Sequence, residues 1–196
     1  MGKKLCVLAL FAILPLALAL GCGEMGKVEQ GRVIGFDNAK ATVTFIHDVK
    51  ADPGNPDYSG APLTFALPKE PKDRGEDPKA GMRMKLDTKT KEIIIYDSAT
   101  KTMKKIAYSL IDQKEGVAKD NALVVGKKFP QVDKAKKAIT IYSGRQKILT
   151  TFSVPDEYLS LPDNTWEAGD EVRVYFKEPG KALRFQNITK TDIFKK

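Results

Sequence analysis

Cysteine, histidine and tryptophan are nearly missing: two, one and one in 196 residues. Two thiols cannot build a disulfide framework, and two cysteines with one histidine are too few ligands for a Cys/His metal cluster. Long apolar runs are also scarce. Only the first twenty residues hold one, which excludes a multi-pass membrane protein. Arginine is sparse, at six against 27 lysines. Planar recognition of phosphates and bases favours arginine, so the formal charge of +8 does not by itself argue for nucleic acid, and none is expected as a partner. No Ser-elbow, HExxH, Walker or dinucleotide-binding pattern is present. What the chain does have is core material. Hydrophobic residues make up 42% and charged ones 30%, which suits a folded domain rather than wholesale disorder.

Residues 1–4 open with Lys3 and Lys4, and residues 5–20 follow as sixteen residues without a charge. A cationic start, an apolar stretch and small residues before a cut define a secretory signal. The run is short for a membrane span, which needs about 20 residues. Ala19-Leu20-Gly21-Cys22 resembles a lipobox, the processing site of bacterial lipoproteins. It departs from the commonest pattern, which has Leu where Ala19 stands and a small residue where Leu20 stands. The resemblance implies cleavage before Cys22, a lipid on its sulfur and acylation of the new amine. Cys6 has almost no apolar segment before it and does not qualify. An uncleaved anchor, or ordinary cleavage leaving Cys22 free, are the alternatives. Each buried methylene of an acyl chain contributes about 0.8 kcal/mol, so several chains give durable anchoring where one is marginal. Removing 21 of 196 residues leaves 175, and the loss of Lys3 and Lys4 with no acid takes the charge from +8 to +6. A lipidated Cys22 leaves no unmodified thiol for catalysis. Gly23 is unlike the Asp retention signal of two-membrane bacteria, so the resemblance implies the outer membrane, facing the periplasm.

The remaining chain repeats itself. Residues 33–48 (VIGFDNAKATVTFIHD) match 129–144 (FPQVDKAKKAITIYSG). Residues 63–68 match 150–155, Ala80-Gly81 matches Ala168-Gly169, residues 91–95 match 181–185, and 100–102 match 189–191. The blocks are collinear. They define a signal over 1–21, a lipidated tether over 22–26, a first unit over 27–108, a linker over 109–121 and a second unit over 122–196. Period-two alternation marks strands in both units, for example Val172, Val174 and Phe176 against Arg173 and Tyr175, or Met82, Met84 and Leu86 against Arg83 and Lys85. Turn residues such as Asp37-Asn38 and Asp97-Ser98 punctuate them. Residues 103–113 are the best helix candidate. The expected fold is all-β: two tandem small barrels, OB-like or SH3-like, with one merged sandwich as a further option. Units under 80 residues without disulfides need to pack closely together, because each core alone is marginal.

The lipobox, the GRVIGFDNAKATVTF opening and the TFSVPDEYLSLPDNTWEAGDEVRVYF stretch together resemble an uncharacterised lipoprotein family of sulfate-reducing bacteria. That resemblance implies placement in the envelope and no particular activity.

Candidate chemistry is thin. His47 closes a strand, and a lone histidine can be a general base, a haem ligand or a pH switch. Without a partner pattern it reads as a rim residue, and no catalytic residue or cofactor is expected. The 52–60 loop (DPGNPDYSG) offers oxygens from Asp52, Asn55, Asp57 and Ser59 but lacks the EF-hand spacing, so no metal is expected and the segment reads as an inserted hairpin loop. Residues 68–81 read as a mobile loop. Trp166 reads as a barrel-end plug. The most site-like feature is the outward side of the second unit, where Arg173, Tyr175, Arg184 and Gln186 share a register and Tyr142 joins them. Arginine beside exposed tyrosine suits a protein or an anionic glycan or lipid. The expected function is a non-enzymatic, lipid-anchored binding or scaffolding module. The alternatives are an envelope hydrolase using His47 with a carboxylate of the 52–60 loop, and a purely structural spacer.

Overall fold

The structure is a computed structural model that describes residues 25–52 and 55–191. The expected signal peptide, Cys22 and the start of the expected tether lie outside the described residues. The described chain is all-β. A first antiparallel sheet holds β1 (Lys27–Asp37), β2 (Thr42–His47), β3 (Pro62–Ala66), β11 (Glu171–Phe176) and β12 (Ala182–Asn187) in the order β12-β11-β1-β2-β3. A second orders β7 (Ser109–Lys114), β10 (Ile148–Ser153), β9 (Ala138–Ser143) and β8 (Gln131–Asp133) as β7-β10-β9-β8. A third is the meander of β4 (Arg83–Asp87), β5 (Glu92–Asp97) and β6 (Thr102–Ala107). One helical turn, α1 (Asp156–Leu159), and a 3-10 turn (Asp163–Trp166) join β10 to β11.

The meander is the middle layer, as β5 makes plain. Its run EIIIYD is apolar at four successive positions instead of alternating, the pattern of a strand covered on both faces. Ile93 and Ile95 pack with Ile139, Ile141, Phe152 and Trp166, sealing the meander against the second sheet. Tyr96, with Ile94 packed alongside, meets Ile46, Met84 and Tyr58 on the first sheet's side. The first sheet keeps its own core on its far face, from Val33, Phe45, Phe65, Val174 and Phe185.

A hairpin with an acidic turn recurs along the chain. Asp37, Asp87 and Asp133 each accept the backbone N–H three residues on, all at 3.0 Å, and Asp97 accepts that of Ala99 at 2.9 Å. A short acidic side chain bonding its own turn is a strong local signal. The residue closing each turn takes a left-handed conformation although it is not glycine: Ala41, Lys91, Lys101, Lys137 and, after Ser143, Lys147, with φ between 49° and 56°. The two Ala-Gly dipeptides also meet. Met82 bridges Ala168, and a Cβ on Gly169 would collide with the Val33 carbonyl and the Gly81 backbone. Only glycine allows three backbone segments to cross so closely.

Several expectations change. Two closed barrels do not form; three open sheets do. β1 pairs with β11 from Lys27↔Phe176 to Arg32↔Glu171, so the first sheet draws strands from both of the expected units. One isolated bridge, Ala66↔Lys181, links its edge segments without a closing ladder. The 109–121 segment contributes β7. Residues 103–113, the helix candidate, form β6 and β7, because Met103 pairs with Tyr96 and Leu110 with Phe152; strand partners override a weak local preference. Trp166 is no end plug. It is fully buried in the seam between meander and second sheet, edge-on to Phe152 at 6.3 Å.

Candidate functional site: a cationic cleft between the sheets

A β-bulge opens the site. In β4, Arg83 pairs with Ile95 and Lys85 with Ile94, so Met84 is the extra residue. The bulge breaks alternation and buries Arg83 and Met84 together, at 6% and 2% exposure. The Arg83 Nε donates to the Trp166 carbonyl at 2.9 Å, and its terminal nitrogens make no hydrogen bond among the described residues. Burial and the nearby Arg32 cation hold its pKa down to about 9, against a small opposing pull from Glu167. It therefore remains a cation at neutral pH.

Arg32 comes from the β1 face that looks away from the first sheet's core. Its Nη1 donates to the Met84 carbonyl at 2.7 Å, and its guanidinium lies 4.5 Å from the centre of the Tyr58 ring. The ring face stabilises the charge, yet the Nε is sealed from solvent without an acceptor. Tyr58 is buried, and its hydroxyl, sealed from solvent, lies beside the Arg32 and Arg145 guanidiniums. Burial raises its pKa, with Glu171 adding to the rise and Arg32 opposing it, so the phenol is neutral and can donate. Arg145, from the β9–β10 turn, pairs with Glu171. Burial works against its charge, but Glu171 and Tyr58 outweigh that and raise its pKa.

These groups line a half-open cleft of about 970 Å³ among the three sheets, within the size range of small-molecule sites. Seven cationic side chains border it against three carboxylates. The nearer acids are already engaged. Asp170 accepts from the Lys79 N–H and the Asn187 Nδ2, both at 2.9 Å, and Glu171 takes Arg145 and the Gln30 Nε2. Among the described residues neither Arg32 nor Arg83 has a carboxylate within ion-pair distance. A second hollow of about 300 Å³ shares Arg83, Tyr142, Ala168 and Asp170 with the cleft and continues it past the guanidinium.

The residues expected to form a binding face divide. Arg173, Tyr175, Arg184 and Gln186 do sit together, with Arg173 opposite Gln186 and Tyr175 opposite Arg184 on β11 and β12. Their engagement is uneven: Arg173 donates to the Gln30 Oε1 at 2.9 Å, whereas Arg184 is mostly exposed at 3.8 Å from Asp73, and Gly26 packs against the Tyr175 ring. Tyr142 is not with them. It stands on β9, donates to the Val117 carbonyl at 3.0 Å, and lines the cleft. His47 does have an acid in reach, the Glu29 carboxylate at 2.7 Å, but that acid is outside the 52–60 loop and His47 does not line the cleft. Within that loop Asp57 caps the Ser59 N–H at 3.2 Å and its own N–H is held by Asp48 at 2.8 Å, so its carboxylate serves the turn.

Sequence reading missed the cleft because Arg83 falls on the outward register of an alternating run, and only the bulge turns it in. One signal was available. Three of the six arginines, Arg32, Arg83 and Arg145, converge here, in a chain that otherwise uses lysine for charge.

The described chain is thus a three-sheet, all-β domain with a cationic inter-sheet cleft. It belongs to the family described as Domain of unknown function (DUF4881), which matches residues 24–196. No curated protein and no solved structure matches the chain.

Proposed function

We propose that the protein is a non-enzymatic, lipid-anchored binding protein of the bacterial envelope, with the inter-sheet cleft as its ligand site. The observation that carries the reading is Arg83: a buried cation with no carboxylate within ion-pair distance among the described residues, lining the cleft and the hollow that continues it. An unpaired buried charge costs several kcal/mol, and an anionic ligand in the cleft offsets that cost. The anchor rests on the lipobox-like Ala19-Leu20-Gly21-Cys22. Cys22 precedes Gly26 by four residues, so the tether leaves the domain beside Tyr175. Anchoring confines the domain near its ligands, and a weak site then suffices.

Two measurements test this. Mass spectrometry of the mature protein should find a lipid-modified Cys22 as its first residue; an unmodified amino terminus, or a chain with its leader intact, would contradict the anchor. A thermal-shift panel of neutral, cationic and anionic small molecules should find one that raises the wild-type Tm and leaves Arg83→Met unmoved. A panel without effect, or equal shifts in both proteins, would contradict the cleft.

A further inference from the structure

We infer that the ligand group seated in the cleft is a tetrahedral oxyanion, a phosphoryl or sulfuryl group, carried on a small organic body. The inference deepens the proposed binding function and rests on it. The donor set is the reason. The terminal nitrogens of Arg83 on β4 have no acceptor among the described residues, and Arg145 of the β9–β10 turn and Lys105 of β6 bring further cationic donors to the cleft from other walls. A carboxylate brings two coplanar oxygens, whereas a phosphoryl or sulfuryl group brings three directed outward, which suits donors converging from separate walls. Guanidinium–oxyanion pairs are also the strongest neutral-pH contacts available to such a site.

The charge count points the same way. Cations outnumber carboxylates around the cleft, and neither Arg32 nor Arg83 has a carboxylate within ion-pair distance among the described residues, which suits an anion. Arg83 and Arg32 repel each other, as do Arg32 and Arg145, so the cluster is at its least favourable when empty. Lys105 and Lys119 are exposed at the rim, where they attract an anion without holding it rigidly. The remaining space is many times that of one oxyanion, and Met84, Met103 and Ile94 line it. Those flexible and apolar side chains suit an organic body of variable shape.

Calorimetric titration of the full, detergent-solubilised chain tests this with five probes at constant ionic strength: inorganic phosphate, inorganic sulfate, acetate, glucose and glucose 6-phosphate. Phosphate and sulfate should bind and compete with each other. Acetate should bind at least about tenfold more weakly, and glucose not at all. Glucose 6-phosphate should exceed inorganic phosphate. Arg83→Met and Arg32→Gln should each lose at least about tenfold in phosphate affinity, while Arg173→Ala, whose guanidinium is outside the cleft, should bind as wild type does. Circular dichroism of each variant confirms its fold. Acetate or glucose binding as well as phosphate, with loss in Arg83→Met, would overturn the oxyanion and leave the cleft as a binding site. Phosphate binding that survives both cleft substitutions would overturn the assignment of the anion to this cleft.

Discussion

Strand β5 borders two seams of different character. Towards the second sheet, Ile93 and Ile95 meet a dry cluster that ends in Trp166 and Phe152. Towards the first sheet, Ile94 and Tyr96 meet Met84 and Tyr58, and beyond them the cleft with its arginines. One strand therefore serves a seam that holds the fold and a seam that forgoes stability for a charged site. Packing dominates the first, since each fully buried aliphatic or aromatic side chain contributes about 1.5–3 kcal/mol. Desolvated charge dominates the second, and it opposes folding until a counter-ion arrives.

The largest expected effect lies in the dry seam. Trp166→Ala should cost about 4 kcal/mol in denaturant unfolding, because the indole is fully buried and its loss leaves a cavity. Gly169→Ala, at the crossing of the two Ala-Gly segments, should cost about 3 kcal/mol, since the new methyl meets backbone rather than a side chain that can move. In the charged seam the sign reverses. Arg83→Met should raise stability by about 1 kcal/mol in chloride buffer, because a similar apolar volume replaces an unpaired guanidinium. Equal losses from Trp166→Ala and Arg83→Met would erase the distinction between the seams.

The hairpin ends supply a smaller comparison that belongs to neither seam. Lys101→Gly should stabilise by about 0.5 kcal/mol, relief of the left-handed backbone being partly offset by the freer unfolded chain. Asp97 has its pKa lowered to about 2, chiefly by the Lys104 ammonium and then by the Ala99 N–H and Thr100 hydroxyl. A carboxyl depressed on folding stabilises the protein above its unfolded pKa near 4 and loses that contribution as pH falls towards 2. The Tm should therefore fall between pH 4 and pH 2, and fall less in Asp97→Asn.

Much of the fold was legible where the governing signal is local. The alternation of β10 and β11 and the Asp-led turns follow from residues a few positions apart, and the matched blocks locate the hairpins. Long-range pairing was not legible. Nothing near Lys27 announces Phe176 as its neighbour, so two self-contained barrels were the natural expectation, and the Lys27↔Phe176 ladder replaces them with a shared sheet. The 103–113 segment misled because its exposed edge strand carries no clean period. The site was hidden for a related reason. Arg32, Arg83 and Arg145 are more than fifty residues apart in succession, and one inserted residue at Met84 decides which way Arg83 faces. The Arg173/Arg184 face was readable because its residues neighbour one another on a hairpin. In the structure Gln30 holds Arg173, while Arg184 stays mostly exposed near Asp73.

The most direct test of the account is the thermal stability of wild type against Arg83→Met, measured in chloride and then in saturating phosphate at equal ionic strength. The account predicts a crossing: the variant melts higher in chloride, and the wild type melts higher in phosphate. The same ranking in both salts would contradict it.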